Sequence, residues 1–281
     1  MAVQKKHSRS KESKDYPLSE TLMPVGFVGH GAPTLALEKN AITEAWRQWG
    51  QDLPRPRAVL VVSAHWLQSP PHLGPVNVVP LTYDFYGFPD PLYRVQYPSP
   101  PAPKLTKLTL GMLEDMGMKP GTTSDRGLDH GAWVPLLHLY PEASIPILQI
   151  SIGTGVPMHD LLSLGKALAP LRSRGVFILG SGNIVHNLRN VNFVDRQAQP
   201  ETWASEFDAW CANTLERFDL NELADYSNKG PGARMAHPTD DHFTPLLVAA
   251  AAAGTQGKPN IRYPYEGFDY QNLSMRCVEF Q

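Results

Sequence analysis

Ten histidines lie in this 281-residue chain, and five of them sit where a fold could bring them together. His30 stands between two glycines in Gly29-His30-Gly31-Ala32-Pro33, just past the apolar run Val25 to Val28. His65 follows Ala58 to Ser63, in Ser63-Ala64-His65-Trp66. His186 follows Val176 to Leu179 across Gly180-Ser181-Gly182-Asn183. His242 comes three residues after Thr239, a residue suited to cap a helix. His130 lies in Gly127-Leu128-Asp129-His130-Gly131, just before an apolar segment. A pocket of neutral imidazoles binds a borderline divalent metal such as zinc, iron, copper or nickel. One histidine alone is an ordinary side chain; five in turn, strand-end or helix-start positions make a site.

The other histidines read differently. His7 lies in a polar N-terminal stretch and His72 in a Pro-rich loop, and neither has a role. His138, among Leu136, Leu137 and Leu139, reads as structural, and His159 as a solvated residue near a helix start. His237 precedes Pro238 and reads as a loop residue that could assist the site.

Competing chemistries find little support. The nearby carboxylates Asp84, Asp129, Asp240 and Asp241 lack a clear ligand spacing, so a triad of two histidines and one carboxylate is not evident. Asp240 and Asp241 are expected to complement a helix N-terminus. The two cysteines, Cys211 and Cys277, exclude a disulfide framework and a Cys-rich zinc module, and they suit a reducing, cytoplasmic setting. Cys211 reads as packing. Ser63 and Ser181 could be nucleophiles, yet no G-x-S-x-G elbow holds either. Gly180-Ser181-Gly182-Asn183 lacks the Lys-Ser/Thr of a P-loop. A formal charge of −2 excludes a globally basic nucleic-acid binder, and no apolar run is long enough to span a membrane.

The elements that must position these residues are legible as alternation. Strands are predicted at Val25–Val28, Ala58–Ser63, Val76–Val79, Ile147–Ile152, Val176–Leu179 and Leu273–Phe280. Helices are predicted from Ala41 to Trp49 behind Asn40 and closed by Gly50, from Lys104 to Met116, and from Ala132 to Tyr140. Pro135 is compatible with that third helix only in its first turn. Further helices run from Pro157 to Arg174, near 201–217, and over 240–253 behind Thr239, with Pro245 bending its start. Residues 80–103 hold seven prolines and many aromatics, including Tyr83, Phe85, Tyr86, Phe88, Tyr93 and Tyr97; such a loop is functional rather than disordered. The expected fold is α/β, a single domain with a largely parallel central sheet covered by helices on both faces. Its ligand site lies at the carboxyl ends of the strands. Residues 1–20 read as a disordered polar tail without the apolar core of a secretory signal, and residues 21–281 as the catalytic domain.

Six motifs in order carry a resemblance over residues 24 to 280. They are Gly29 to Pro33, Val61 to Trp66, Asp84-Phe85-Tyr86-Gly87-Phe88-Pro89, Leu128 to Trp133, Gly180 to Asn187, and Pro238 to Phe243. Together they resemble the class III extradiol ring-cleavage dioxygenases, in the 4,5-DOPA dioxygenase branch. The resemblance implies a non-haem metal, Fe(II) first and Zn(II) as the alternative, with a catechol and O2 as reactants. It makes His30, His65 and His242 metal ligands and His186 the acid/base residue, near enough to be a fourth ligand. It makes His130 a contact to substrate or oxygen. The third ligand is a carboxylate in protocatechuate-cleaving relatives; His242 in its place leaves the metal's charge at +2 for a catecholate to neutralise. The expected product is a muconic semialdehyde. The loop from Tyr83 to Tyr97 would wall the ring pocket, with Asp84 either positioning a polar group or capping the loop. Two other readings stand beside this one: a metal-dependent hydrolase, and a non-enzymatic metal-binding protein on the same scaffold. Discriminating among them calls for a test of O2 dependence. Arg94, Arg126, Arg189, Arg234 or Arg262 could pair a substrate carboxylate.

Overall fold

The structure is a computed structural model that describes residues 16–281. The first fifteen residues of the expected tail lie outside the described residues. Tyr16, Pro17 and Ser19 of that stretch bond to the fold. Tyr16 is buried and its carbonyl accepts from Arg174 Nη1 at 2.7 Å. The Pro17 carbonyl accepts from Arg57 at 2.7 Å, and the Ser19 N–H donates to the Ser173 carbonyl.

Ten strands form along the described chain: β1 (Val25–Gly29), β2 (Ala58–Leu67), β3 (His72–Gly74), β4 (Gly121–Thr122), β5 (Ile147–Ile152), β6 (Val176–Gly182), β7 (Ile261–Tyr265), β8 (Phe268–Asp269), β9 (Leu273–Ser274) and β10 (Cys277–Phe280). Eight of them make one sheet in the order β4-β3-β5-β2-β6-β1-β10-β7, and β8 and β9 pair separately. The central four, β5-β2-β6-β1, are mutually parallel. Antiparallel pairs flank them, β3 on β5 at one side and β10 and β7 at the other.

The helices are α1 (Ala41–Asp52), α2 (Pro103–Asp115), α3 (His130–Leu139), α4 (Met158–Leu168), α5 (Thr202–Arg217), α6 (Leu220–Ala224), α7 (Tyr226–Lys229), α8 (Ala233–Ala236) and α9 (Thr244–Ala253). Alternate residues of the central strands serve opposite faces, as the period of a strand requires. Ala58, Leu60 and Val62 join a core with α4 and α9, while Val59 and Val61 join a second core with α1 and α3. Both faces are therefore covered, which is why these strands read as unbroken apolar runs.

Several boundaries differ from expectation, each for a physical reason. α1 runs through Gly50 to Asp52; a Cβ there would lie 2.0 Å from the Leu139 carbonyl oxygen, so this glycine lets α1 approach α3 rather than ending it. The apolar segment at Val76–Val79 forms no strand, and β3 lies before it. β2 continues to Leu67 with an irregular register after Val62, so His65 is within the strand and not past it. The expected closing strand breaks into β9 and β10. β7 lies outside the expected strands because Pro264 interrupts its pattern, a residue tolerated on a sheet edge. α4 ends at Leu168 and continues as a 3₁₀ turn, Ala169–Arg174, because Pro170 has no N–H for the α-helical bond. α9 starts at Thr244, not near 240: Pro245 lies in its first turn, where no helical bond needs its N–H, and Thr239 bonds Asp241 instead of capping. His242 thus sits in the turn before the helix. α3 begins at His130, which leaves Pro135 beyond the first turn, contrary to expectation.

Candidate metal centre

β2, β6 and β1 are adjacent, parallel and in register, with Ser63 opposite Ser181 and Ser181 opposite Val28. Their carboxyl ends therefore reach one level. The His30 N–H continues the ladder by donating to the Gly182 carbonyl at 2.9 Å. The turn bearing His242 lies directly over this edge: a Cβ on Gly182 would fall 2.1 Å from the His242 carbonyl oxygen, and the Asn183 N–H donates to that same oxygen at 3.0 Å. Glycine at 182 is what admits the turn.

The rings of His30, His65 and His242 form a near-equilateral triangle, with centroids 4.9, 5.0 and 5.3 Å apart. One ring nitrogen from each lies within 4.8 Å of the others. The Nδ1 atoms are engaged elsewhere. His30 Nδ1 meets Ser181 Oγ at 3.0 Å, His65 Nδ1 stands 3.3 Å from Asp84 Oδ2, and His242 Nδ1 meets Asp241 Oδ2 at 2.8 Å. Asp241 thus holds a histidine, where helix-end complementarity was expected.

These contacts test whether a metal fits. A carboxylate can only accept, so Nδ1 of His242 carries the proton and its Nε2 presents a lone pair, and the Asp84 carboxylate beside His65 Nδ1 favours the same form there. His30 Nε2 lies 2.9 Å from His65 Nε2. One of the two donates when the site holds no ion; with Nδ1 of both rings protonated, both nitrogens turn lone pairs toward a shared cation. Burial, reinforced by the neighbouring imidazoles, holds His30 and His242 well below the ordinary histidine value. Burial also brings His65 down to about 4 against the pull of nearby carboxylates. Neutral imidazoles are the form that binds a metal. The donor set suits a divalent cation.

His186 and His130 complete the neighbourhood without joining the triangle. The His186 ring stacks on His242, 3.4 Å between centroids and 3° from parallel. It is near the site but outside the group of converging nitrogens. Burial lowers its pKa to about 4. Its segment is held from the chain before His242: the His186 N–H donates to the Ala236 carbonyl, and His237 Nε2 lies 2.7 Å from the Ile184 carbonyl. His237 therefore supports the His186 turn from among Phe207, Tyr226 and Phe243. His138 bonds the Leu35 carbonyl and His159 is exposed, both as expected.

His130 opens α3, where Asp129 caps the helix through the Ala132 N–H. Its ring lies 4.0 Å from that of His65. Asp84 bridges the two histidines, so of its two expected roles it performs the positioning one. Phe85, next in the chain, packs edge-on to His130 and contacts Phe88, Tyr93 and Trp133. The aromatic loop thus stands beside the histidines as an apolar wall. Asp129 is fully buried and serves structure: it accepts from Ser63, Gln149 and Arg126. Arg126 also donates to the His65 carbonyl, and Arg262 pairs with Asp52 and Glu279, so both have partners within the fold. Ser63 and Ser181 are buried hydrogen-bonding groups and not exposed nucleophiles.

Comparison with known proteins agrees with this geometry. Residues 26–274 match the family described as the catalytic LigB subunit of aromatic ring-opening dioxygenase. The chain is 36% identical to the 4,5-DOPA dioxygenase extradiol of Escherichia coli K12, covering 95% of this chain and 97% of that protein. It is 38% identical to the 4,5-DOPA dioxygenase extradiol of Beta vulgaris over 84% of this chain and 88% of that one. The crystal structure of an uncharacterised protein from Escherichia coli K12 superposes with a TM-score of 0.78 at 32% identity, covering 92% of this chain and all of that one.

Proposed function

This chain belongs to the LigB family of aromatic ring-opening dioxygenases, and from that premise we propose that it opens the ring of L-DOPA or a related catechol with O2 to a muconic semialdehyde, using Fe(II) held by His30, His65 and His242. It is a non-haem, metal-dependent extradiol dioxygenase. The family match displaces the hydrolase and the non-enzymatic readings. Zn(II) suits the same three imidazoles and is the redox-inert alternative. The observation that carries the reading is the triangle of imidazoles with each Nδ1 engaged, leaving three Nε2 atoms for one cation. The printed names of the relatives favour DOPA as substrate.

When bound, the metal supplies Lewis acidity to the catechol oxygens and a path for electrons from ring to O2. The protein's own groups do the rest. His186, neutral at pH 7 because of its burial, takes the proton of a catechol hydroxyl and later returns it to an oxygen atom as an imidazolium. His130, anchored through Nδ1 on Asp84, holds its Nε2 edge for a substrate or oxygen contact. Phe85 and its aromatic neighbours bind the ring and exclude water, which strengthens every polar contact inside. Among the described residues no helix is long and apolar enough to cross a membrane. The two free, buried cysteines suit the cytoplasm as its place of work.

The test is oxygen uptake by protein reconstituted anaerobically with Fe(II), against a panel of catechols that includes L-DOPA. Stoichiometric uptake with a new visible absorbance, absent in the zinc form, is expected. Iron-loaded protein that consumes no O2 with any catechol overturns the proposal.

A further inference from the structure

Two features of the chain remain without a purpose in the chemistry above: Pro135 inside a helix, and Ser181 buried at the end of β6. They meet. In α3 the carbonyl of Gly131 would accept from the N–H of residue 135, four positions on. Proline has no N–H, so this buried carbonyl has no helical donor. Ser181 Oγ supplies one across the sheet edge, in a short hydrogen bond to the Gly131 oxygen. The same Oγ lies 3.0 Å from His30 Nδ1. All three residues are buried.

The directions follow from the donor inventory. A carbonyl only accepts, so the single hydroxyl proton of Ser181 points at Gly131. The oxygen then offers only lone pairs to His30, and His30 Nδ1 must carry the hydrogen. Its Nε2 is left bare, on the side of His65 and His242. His65 and His242 have carboxylates for this task, and His30 does not. A neutral hydroxyl achieves the same orientation only because its own proton is committed elsewhere.

We propose that Ser181 is the positioning residue that holds His30 in its Nδ1–H form with Nε2 free for the metal, and that Pro135 commits Ser181 to it by leaving the Gly131 carbonyl open. The inference rests on the metal-centre reading given above. It extends that reading to two residues that touch neither metal nor substrate.

The experiment uses the full-length protein and two readouts. Long-range 1H–15N spectra of the metal-free wild type report which nitrogen of His30 is protonated, and need no variant to fold. The Nδ1–H form is expected; a predominant Nε2–H form overturns the proposal. Zn(II) affinity, read by competition with a chromophoric chelator, is then compared for the wild type, Ser181→Ala and Ser181→Ala with Pro135→Ala. Loss of an outer-shell partner costs about 10–100-fold in metal affinity, and that is the loss expected for Ser181→Ala. The double variant gains an N–H for the Gly131 carbonyl, so thermal stability recovers while zinc affinity stays low. An affinity for Ser181→Ala within about twofold of the wild type, or full recovery in the double variant, shows that Ser181 serves only the carbonyl. A wild type that binds no zinc defeats the metal-centre reading instead, and the His30 spectrum still decides the role of Ser181.

Discussion

Asp84 and His130 meet twice through one atom: Asp84 Oδ1 accepts from the His130 backbone N–H and lies against its Nδ1, each at 3.0 Å. The other carboxylate oxygen stands 3.3 Å from His65 Nδ1. Burial pulls the Asp84 pKa upward, but the hydrogen bonds from His130 and the neighbouring histidines outweigh it and bring it down to about 2. One ionised carboxylate therefore fixes the orientation of two rings of the site. Asp84→Ala frees both, and turnover is expected to fall about 10–100-fold, the usual loss for an outer-shell partner. His130→Ala removes the group itself, and a loss of about 10²–10³ in kcat with metal retained is expected. Steady-state oxygen uptake, normalised to metal content, measures both. Full activity in His130→Ala removes it from the reaction.

Metal content separates ligands from neighbours. His30→Ala, His65→Ala and His242→Ala each delete one of the three converging nitrogens. Each variant is expected to leave gel filtration with little metal. His186→Ala, which removes a stacked ring and no member of the triangle, is expected to keep its metal and lose turnover. A full metal complement in any of the first three shows that the triangle is not the binding set.

The buried imidazole of His237 makes a prediction about acid stability. Burial lowers its pKa to about 4, against an unfolded value near 6.5. The unfolded chain therefore takes up a proton at this residue before the folded one does. The contribution to stability is full above about pH 6.5 and lost as pH falls toward 4, on the order of 3 kcal/mol in all. Urea unfolding of the metal-free protein across this range should show a slope reduced by up to about one proton in His237→Gln relative to the wild type. An unchanged slope assigns the acid sensitivity to other groups.

Gly182 has no room for a side chain beneath the His242 carbonyl. Gly182→Ala must push the turn outward, and overpacking of this kind costs about 1–3 kcal/mol. Because the displaced residue is His242, zinc affinity should fall along with the melting temperature. A variant that melts lower but binds zinc as tightly as the wild type shows that the turn relaxes without moving the ring.

Much of the site was legible because its residues lie where strands end and turns begin. The Val25–Val28 and Val176–Leu179 runs announce two of the three adjacent strands, and Gly31 announces the turn after the first; Gly180 and Gly182 lie within β6, where they admit the chain around His242 and Pro245. Local chemistry of this kind depends on a few neighbours in the chain, and period and composition report it directly. Boundaries were less secure. His65 proved to be inside its strand, and His242 ahead of its helix, because β2 continues on hydrogen bonds beyond its apolar run and α9 starts at the Pro245 turn.

The amino-acid sequence by itself determined the α/β alternation, the sheet buried on both faces, and the five histidines that gather at its edge. Only the tertiary structure decided what holds each ring. Ser181 reaches His30 across 151 positions, and Asp84 reaches His130 across 46. The open carbonyl of Gly131 is visible only once Pro135 is known to lie beyond the first turn of α3. The order β5-β2-β6-β1 sets those distances, and it is chosen by the packing of whole strands and helices rather than by any residue's immediate neighbours. The direction of a hydrogen bond between two side chains is a property of that packing, and so it appears only in three dimensions.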